Sequence, residues 1–224
     1  AVRGSDMSAR IQSGMAVRKI AITSPKGGTG KTTVAVNLAV ALALSGITTY
    51  LVDADGNAGA LQYHMRMERV NTTMIGLLRR EIAKANKGVM SDVASGAAYL
   101  NAFTPLENLP TLRVLPGLIT DDLGDEVLQQ EAKVAEVIQG LYEAGVAAGG
   151  VVIMDVGINP AHVVHRAALK AAEGIAIVIK PEIPDLAETR RWIARMINSL
   201  ASVVGKGSAH EFVGSRVKLC YNQV

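Results

Sequence analysis

Apolar positions along this chain fall into two kinds of pattern. The first is short unbroken runs: KIAIT at 19–23, TTYLV at 48–52, GVVIMDV at 150–156 and IAIVI at 175–179. Runs of this length without alternation read as strands covered on both faces. Two more runs, at 112–115 before Pro116 and Gly117 and at 217–221 (VKLCY), predict further strands. The second pattern is a recurrence of apolar residues every three or four positions, the period of one helix face. It predicts helices over 32–45, 73–86, 126–147, about 160–172 and 185–203. Gly46 supplies a stop for the first. Val127, Val134, Val137, Ile138 and Leu141 form the apolar side of the third. Segments 88–98 and 118–124 carry neither pattern and are expected to be irregular and superficial. Strands alternating with helices predict an α/β fold: one doubly wound, mostly parallel sheet with helices on both faces and right-handed crossovers.

Composition narrows the class. The chain has 224 residues, 49% hydrophobic, 19% charged and 4% aromatic, which suits a globular domain built from small and branched apolar residues. Residues 1–17 read as a tag-like N-terminus, with Ala1 to Asp6 preceding Met7 in the manner of a vector-derived segment, and 18–224 as a single domain. One cysteine, Cys220, excludes an internal disulfide framework and a cysteine-cluster metal site within one chain. A reducing cytoplasm is the expected setting. No apolar stretch reaches about 18 residues, so no membrane span is expected. A net charge of +3 permits an anionic partner surface, DNA or acidic lipid, without requiring one.

The chemistry concentrates after the first predicted strand. Lys26-Gly27-Gly28-Thr29-Gly30-Lys31-Thr32-Thr33 joins that strand to the first helix, the setting a phosphate-binding P-loop requires. Pro25 stands where the common pattern has its first glycine, so this is a variant form. The glycines let backbone N–H groups approach phosphates, and the helix aims its positive end at the same anion. Lys31 is expected at the β- and γ-phosphates, the Thr32 hydroxyl on Mg²⁺ and Thr33 at the α-phosphate. Two further strands end in acids, Asp53 with Asp55 and then Asp155. Carboxylates at the carboxyl ends of parallel strands face the ligand crevice. Asp155 closes an apolar strand in the Walker B arrangement, where its carboxylate binds Mg²⁺ through water.

Lys26 before paired glycines resembles the deviant Walker A loop of the ParA/MinD family of P-loop ATPases. The resemblance runs from about Lys19 to Asn222. It implies ATP and Mg²⁺ as cofactors, and a role for Lys26 in reaching phosphate across a dimer interface. It also implies that Asp55 positions the attacking water and that Asp53 helps hold the Mg²⁺ shell. The adenine pocket is then expected after the last two strands, with Asn222 for the base edge and main chain near Pro181. No Asn-Lys-x-Asp guanine motif occurs, which favours ATP over GTP. The family commonly continues after the Walker B acid with Pro-rich or Ser-Pro-Ala-Gly text. Here Val156-Gly157-Ile158-Asn159-Pro160 follows, which leaves the γ-phosphate sensor unassigned and points to slow hydrolysis.

What the resemblance implies is a dimerising switch: ATP holds two subunits together and hydrolysis releases them. Its output would be the placement of cargo in DNA partition, division-site, flagellar or pilus positioning. Association with DNA or with a membrane surface, and a protein activator or cargo partner, belong to that picture. The chain would be cytoplasmic, or peripheral on the nucleoid or inner membrane face. Helices commonly follow the last strand in this family, so an extension beyond Val224 bearing a membrane-binding helix is compatible with the ending. Alternatives are an ATP-binding localisation scaffold with little hydrolysis and a metal-insertion or metallocluster ATPase. The latter uses paired interface cysteines, against which Cys220 stands alone. His162 and His165, three apart on a predicted helix, lack an evident third ligand and read as packing. Met65, Met67 and Met74 also read as packing, and Arg79, Arg80, Lys84 and Lys87 as a solvated helix face. Trp192 beside Arg190, Arg191 and Arg195 is a candidate interaction face.

Overall fold

The computed structural model describes residues 17–55, 60–87, 96–117, 127 and 129–222. The strands are β1 (Lys19–Thr23), β2 (Thr49–Ala54), β3 (Thr104–Leu106), β4 (Leu109–Leu115), β5 (Val151–Val156), β6 (Gly174–Ile179) and β7 (Val217–Tyr221). The helices are α1 (Lys31–Leu44), α2 (Ala60–His64), α3 (Met74–Asn86), α4 (Ala97–Leu100), α5 (Glu131–Ala147), α6 (Val163–Ala171), α7 (Ile183–Val204) and α8 (Lys206–Arg216). The strands form one sheet in the order β3-β4-β2-β5-β1-β6-β7. Every neighbouring pair is parallel except β3 and β4, which form a hairpin. This is the fold class the alternation predicts.

Period-two alternation splits each central strand between two cores. Val152 and Met154 of β5 face one side, with Ala21, Val52, Ile175 and Ile177. Trp192, Leu141, Leu169 and Leu78 from α7, α5, α6 and α3 cover that side. Ile153 of β5 faces the other, with Ile22, Leu51 and Val178. There α1 presents a stripe of Ala35, Ala39 and Ala43, one residue per turn, which seats the helix close against the sheet. All six residues of β2 and of β5 are buried. Each fully buried large aliphatic side chain contributes about 2 kcal/mol relative to exposure.

Several boundaries differ from the sequence pattern. The helix expected from residue 126 runs unbroken only from Glu131, because Gln129 lies in a turn; Val127 is helical and fully buried ahead of it. The strand expected at 112–115 starts three residues earlier, at Leu109. Two elements carried no pattern: β3, three residues including Pro105, and α8, which buries only Ala209 and Val213. Of the segments expected to be irregular, 88–95 and 118–124 lie outside the described residues, as do 1–16; residues 97 and 98 belong instead to α4. Among the described residues no helix is long and apolar enough to cross a membrane.

Candidate phosphate-binding site

The site forms where β1 hands over to α1. Thr23 closes the strand, and the chain turns through 24–30 with Ser24 Oγ donating to the Lys26 carbonyl at 2.9 Å. Gly28 and Gly30 adopt left-handed φ values of 73° and 83°, which disfavour a side chain. At Gly30 space forbids one as well, since a Cβ would lie 2.2 Å from Asn222 Nδ2. Among the described residues no side chain caps α1, and no acid occupies its first turn. Its leading amides, with the positive end of the helix dipole, stay available to an anion. The Thr29 hydroxyl is buried without a protein partner among the described residues, the kind of orphan group a bound oxyanion or water satisfies.

Facing this mouth are the acids. β2 and β5 lie side by side with Asp53 opposite Asp155. Lys31 Nζ donates to Asp155 Oδ1 at 2.7 Å and to Asp55 Oδ2 at 2.9 Å, while Thr32 Oγ1 donates to Asp155 Oδ2 at 2.7 Å. Burial is the largest single influence on the Lys31 ammonium and pulls its pKa down. The charges of Asp155 and Asp55, with the hydrogen bonds to both, together outweigh it and leave the pKa above the ordinary value. Burial raises the Asp155 pKa against the lowering pull of Lys31 and Thr32. Asp53, held by the Asp55 and Leu61 amides at 3.2 and 3.4 Å, is pushed up to about 7 by burial and then by the Asp155 charge. Two buried carboxylates so close, one short of counter-charge, form with the Thr32 hydroxyl an all-oxygen donor set. A hard cation such as Mg²⁺ takes such donors, completing its shell with water and phosphate oxygens. Among the described residues no three His, Cys, Asp or Glu converge on one point.

The other expected residues spread around this centre. Gly27 is exposed at the loop tip and Thr33 on the first turn of α1. Lys26 pairs within its own chain with Asp185, on the first turn of α7, whose carboxylate is 1% exposed. That hydrogen bond raises the Lys26 pKa. Asn222 folds onto the loop, its Nδ2 donating to the Thr29 carbonyl at 2.9 Å and its own N–H to Ile179 O at 2.9 Å. Pro181 is exposed two residues beyond β6.

Residues read as packing prove to touch the site. His165 is buried, with Nε2 2.9 Å from the Asp55 carbonyl and Nδ1 2.8 Å from the Asn159 carbonyl. Burial holds its pKa below the ordinary value, against the raising pull of both carbonyls. His162 stacks beside it at 4.4 Å. Trp192 is fully buried rather than part of an exposed face. Nothing in the local sequence around Asp185 marks it as a partner of Lys26. Lys84 and Arg80 pair with the buried Glu81 at 3.0 and 3.2 Å, so that face is partly tied down rather than wholly solvated.

Comparison with known proteins fits this geometry. Residues 20–200 match the family model described as the CobQ/CobB/MinD/ParA nucleotide-binding domain. An uncharacterized ATP-binding protein of Methanocaldococcus jannaschii is 30% identical over 176 residues, covering 78% of this chain and 57% of that protein. The chromosome partitioning protein ParA of Caulobacter vibrioides is 29% identical over 189 residues, covering 82% of this chain and 65% of its own. This chain therefore spans less than two thirds of the length of either relative. The septum site-determining protein MinD of Pyrococcus horikoshii, solved with Mg-ADP, superposes with a TM-score of 0.58 at 23% identity, covering 91% of this chain and 69% of that one. That likeness establishes a shared fold.

Proposed function

The chain belongs to the CobQ/CobB/MinD/ParA nucleotide-binding domain family, and on that premise we propose that it is a Mg²⁺-dependent ATPase working as a dimerising switch. One observation carries the reading: Lys31, at the open end of α1, is held by Asp55 and Asp155, with Thr32 on the same Asp155. The amides of 27–32 would receive the phosphate tail. Lys31 would exchange its carboxylate partners for phosphate oxygens, leaving Asp55 free to orient a water for attack. Thr32, Asp155 and Asp53 would hold Mg²⁺, which neutralises charge developing on the phosphates. Asn222, with main chain near Pro181, would meet the adenine edge. Lys26 would leave Asp185 and supply a cation to the partner subunit's site, coupling dimerisation to turnover.

The cargo is proposed by class only: a surface or complex whose position the switch sets, with DNA and acidic lipid as the two candidate surfaces. Titration with Mg²⁺ and ATP in a calorimeter tests the core of the reading. Wild type should bind tightly and Lys31→Ala should lose about a hundredfold or more in affinity, the removed contacts being charge-assisted. Equal affinity in the two proteins refutes the site.

A further inference from the structure

The segment after Asp155 is held in an uncommon way: each of four consecutive carbonyls meets a different side chain. Thr23 Oγ1 donates to Gly157 O at 3.0 Å, and the Trp192 indole N–H to Ile158 O at 2.5 Å. His165 Nδ1 lies 2.8 Å from Asn159 O, and Ser199 Oγ donates to Pro160 O at 3.0 Å. Ile158 and Asn159 are exposed, so water could have served their carbonyls. The bonds instead fix the loop to β1, α6 and α7.

His165 differs from the other three because its ring reaches a second partner. Nε2 lies 2.9 Å from the carbonyl of Asp55, at the end of β2. One imidazole thus sits between the segments that follow β2 and β5; as the neutral ring it donates its single N–H to one of the two carbonyls and packs against the other. Close packing enforces this placement: a Cβ on Gly157 would lie 2.2 Å from His165 Cε1 and 2.5 Å from Asp55 Oδ1.

We propose that His165 is a positioning residue that ties the Asp55 peptide to loop 157–160, so that the Asp55 carboxylate and that loop take their places together. This rests on Asp55 being the group that orients the attacking water. In the state described, Lys31 holds the Asp55 carboxylate from one side. Once that ammonium turns to phosphate, the backbone tether to His165 decides where the carboxylate points. A misplacement of about 1 Å in such a group costs about a hundredfold in rate. Trp192, the one tryptophan of the chain, is bonded to the same loop and reports its position without any need for turnover.

The test compares wild type, His165→Gln, which keeps an N–H donor but not the ring seated between the two carbonyls, and His165→Ala, which leaves a ring-sized hole. Turnover, nucleotide affinity by calorimetry and Trp192 emission with ADP and with a non-hydrolysable ATP analogue are measured. The tether predicts kcat lowered about tenfold to a hundredfold with KM and affinity changed less than about threefold. It also predicts that emission separates the two nucleotides in wild type only, and that added imidazole restores part of the rate of His165→Ala. Unchanged kcat and emission in the variants would overturn it. So would an emission identical in both nucleotides in wild type. Parallel losses of rate, affinity and thermal stability with no imidazole rescue would reduce His165 to packing and also overturn it. A wild type that binds ATP and never hydrolyses it would sink the ATPase reading alone, while the emission comparison would still decide the tether.

Discussion

The Lys31 ammonium is the counter-charge that lets Asp155 stay buried. Removing one member of a buried ion pair strands the other, so Lys31→Met should cost the nucleotide-free protein about 3 kcal/mol. A lowered urea midpoint near pH 7 would register it. His162 makes a second residue-level case. Burial, then the neighbouring His165, lowers its pKa from 6.5 to about 4. The folded chain therefore refuses a proton that the unfolded chain accepts. Stability from the neutral ring is complete above about pH 6.5 and is lost as pH falls toward about 4. Its partial exposure screens the effect to about 1–2 kcal/mol. Thermal melts of His162→Gln should fall less steeply than wild type between near-neutral pH and pH near 4.5; parallel curves would exclude this assignment.

At the scale of elements, α3 offers the cleanest boundary. The Thr73 side chain accepts from the Gly76 amide at 3.1 Å and caps the helix, which begins at Met74, one residue inside the 73–86 the pattern predicts. Thr73→Ala should destabilise by about 1 kcal/mol, shifting the denaturant midpoint without changing its slope. The legible elements share a physical cause. β1, β2, β5 and β6 hold core positions on both faces, so burial alone dictates an unbroken apolar run. β3 and α8 were illegible because burial asks little of them. In β3 the hairpin sets the conformation, and α8 follows a break at Gly205, whose φ of 84° ends α7 and lets the chain restart. The early start predicted for α5 failed for a related reason: Val127 is a core residue, yet Gln129 and Gln130 interrupt the backbone after it.

For the whole molecule, the sheet order puts β1 between β5 and β6, with β2 on the far side of β5. Three strands distant in the chain thereby deliver their acids and the P-loop to one edge. The loop itself was legible because its chemistry lies within eight successive residues. Contacts made across the fold were not: His165 meets Asp55 over 110 residues and Lys26 meets Asp185 over 159. Nothing local marks such pairs. The Lys26–Asp185 contact bears on assembly, because the lysine proposed to serve a partner subunit is engaged within its own chain. Lys26→Ala should retain MgATP affinity within about threefold yet stay monomeric in ATP, whereas wild type becomes a dimer. Light scattering after gel filtration decides this, and a dimeric variant would remove the cross-subunit role.

The hairpin at the sheet margin has a consequence of another kind. β3 is three residues long and has the exposed Pro105 at its middle, a residue with no N–H to give. A margin so short, with a residue at its middle that cannot donate, offers a neighbouring copy little peptide ladder to extend. Even when many molecules crowd together, the shortness of β3 and its proline work against fibril growth from this side.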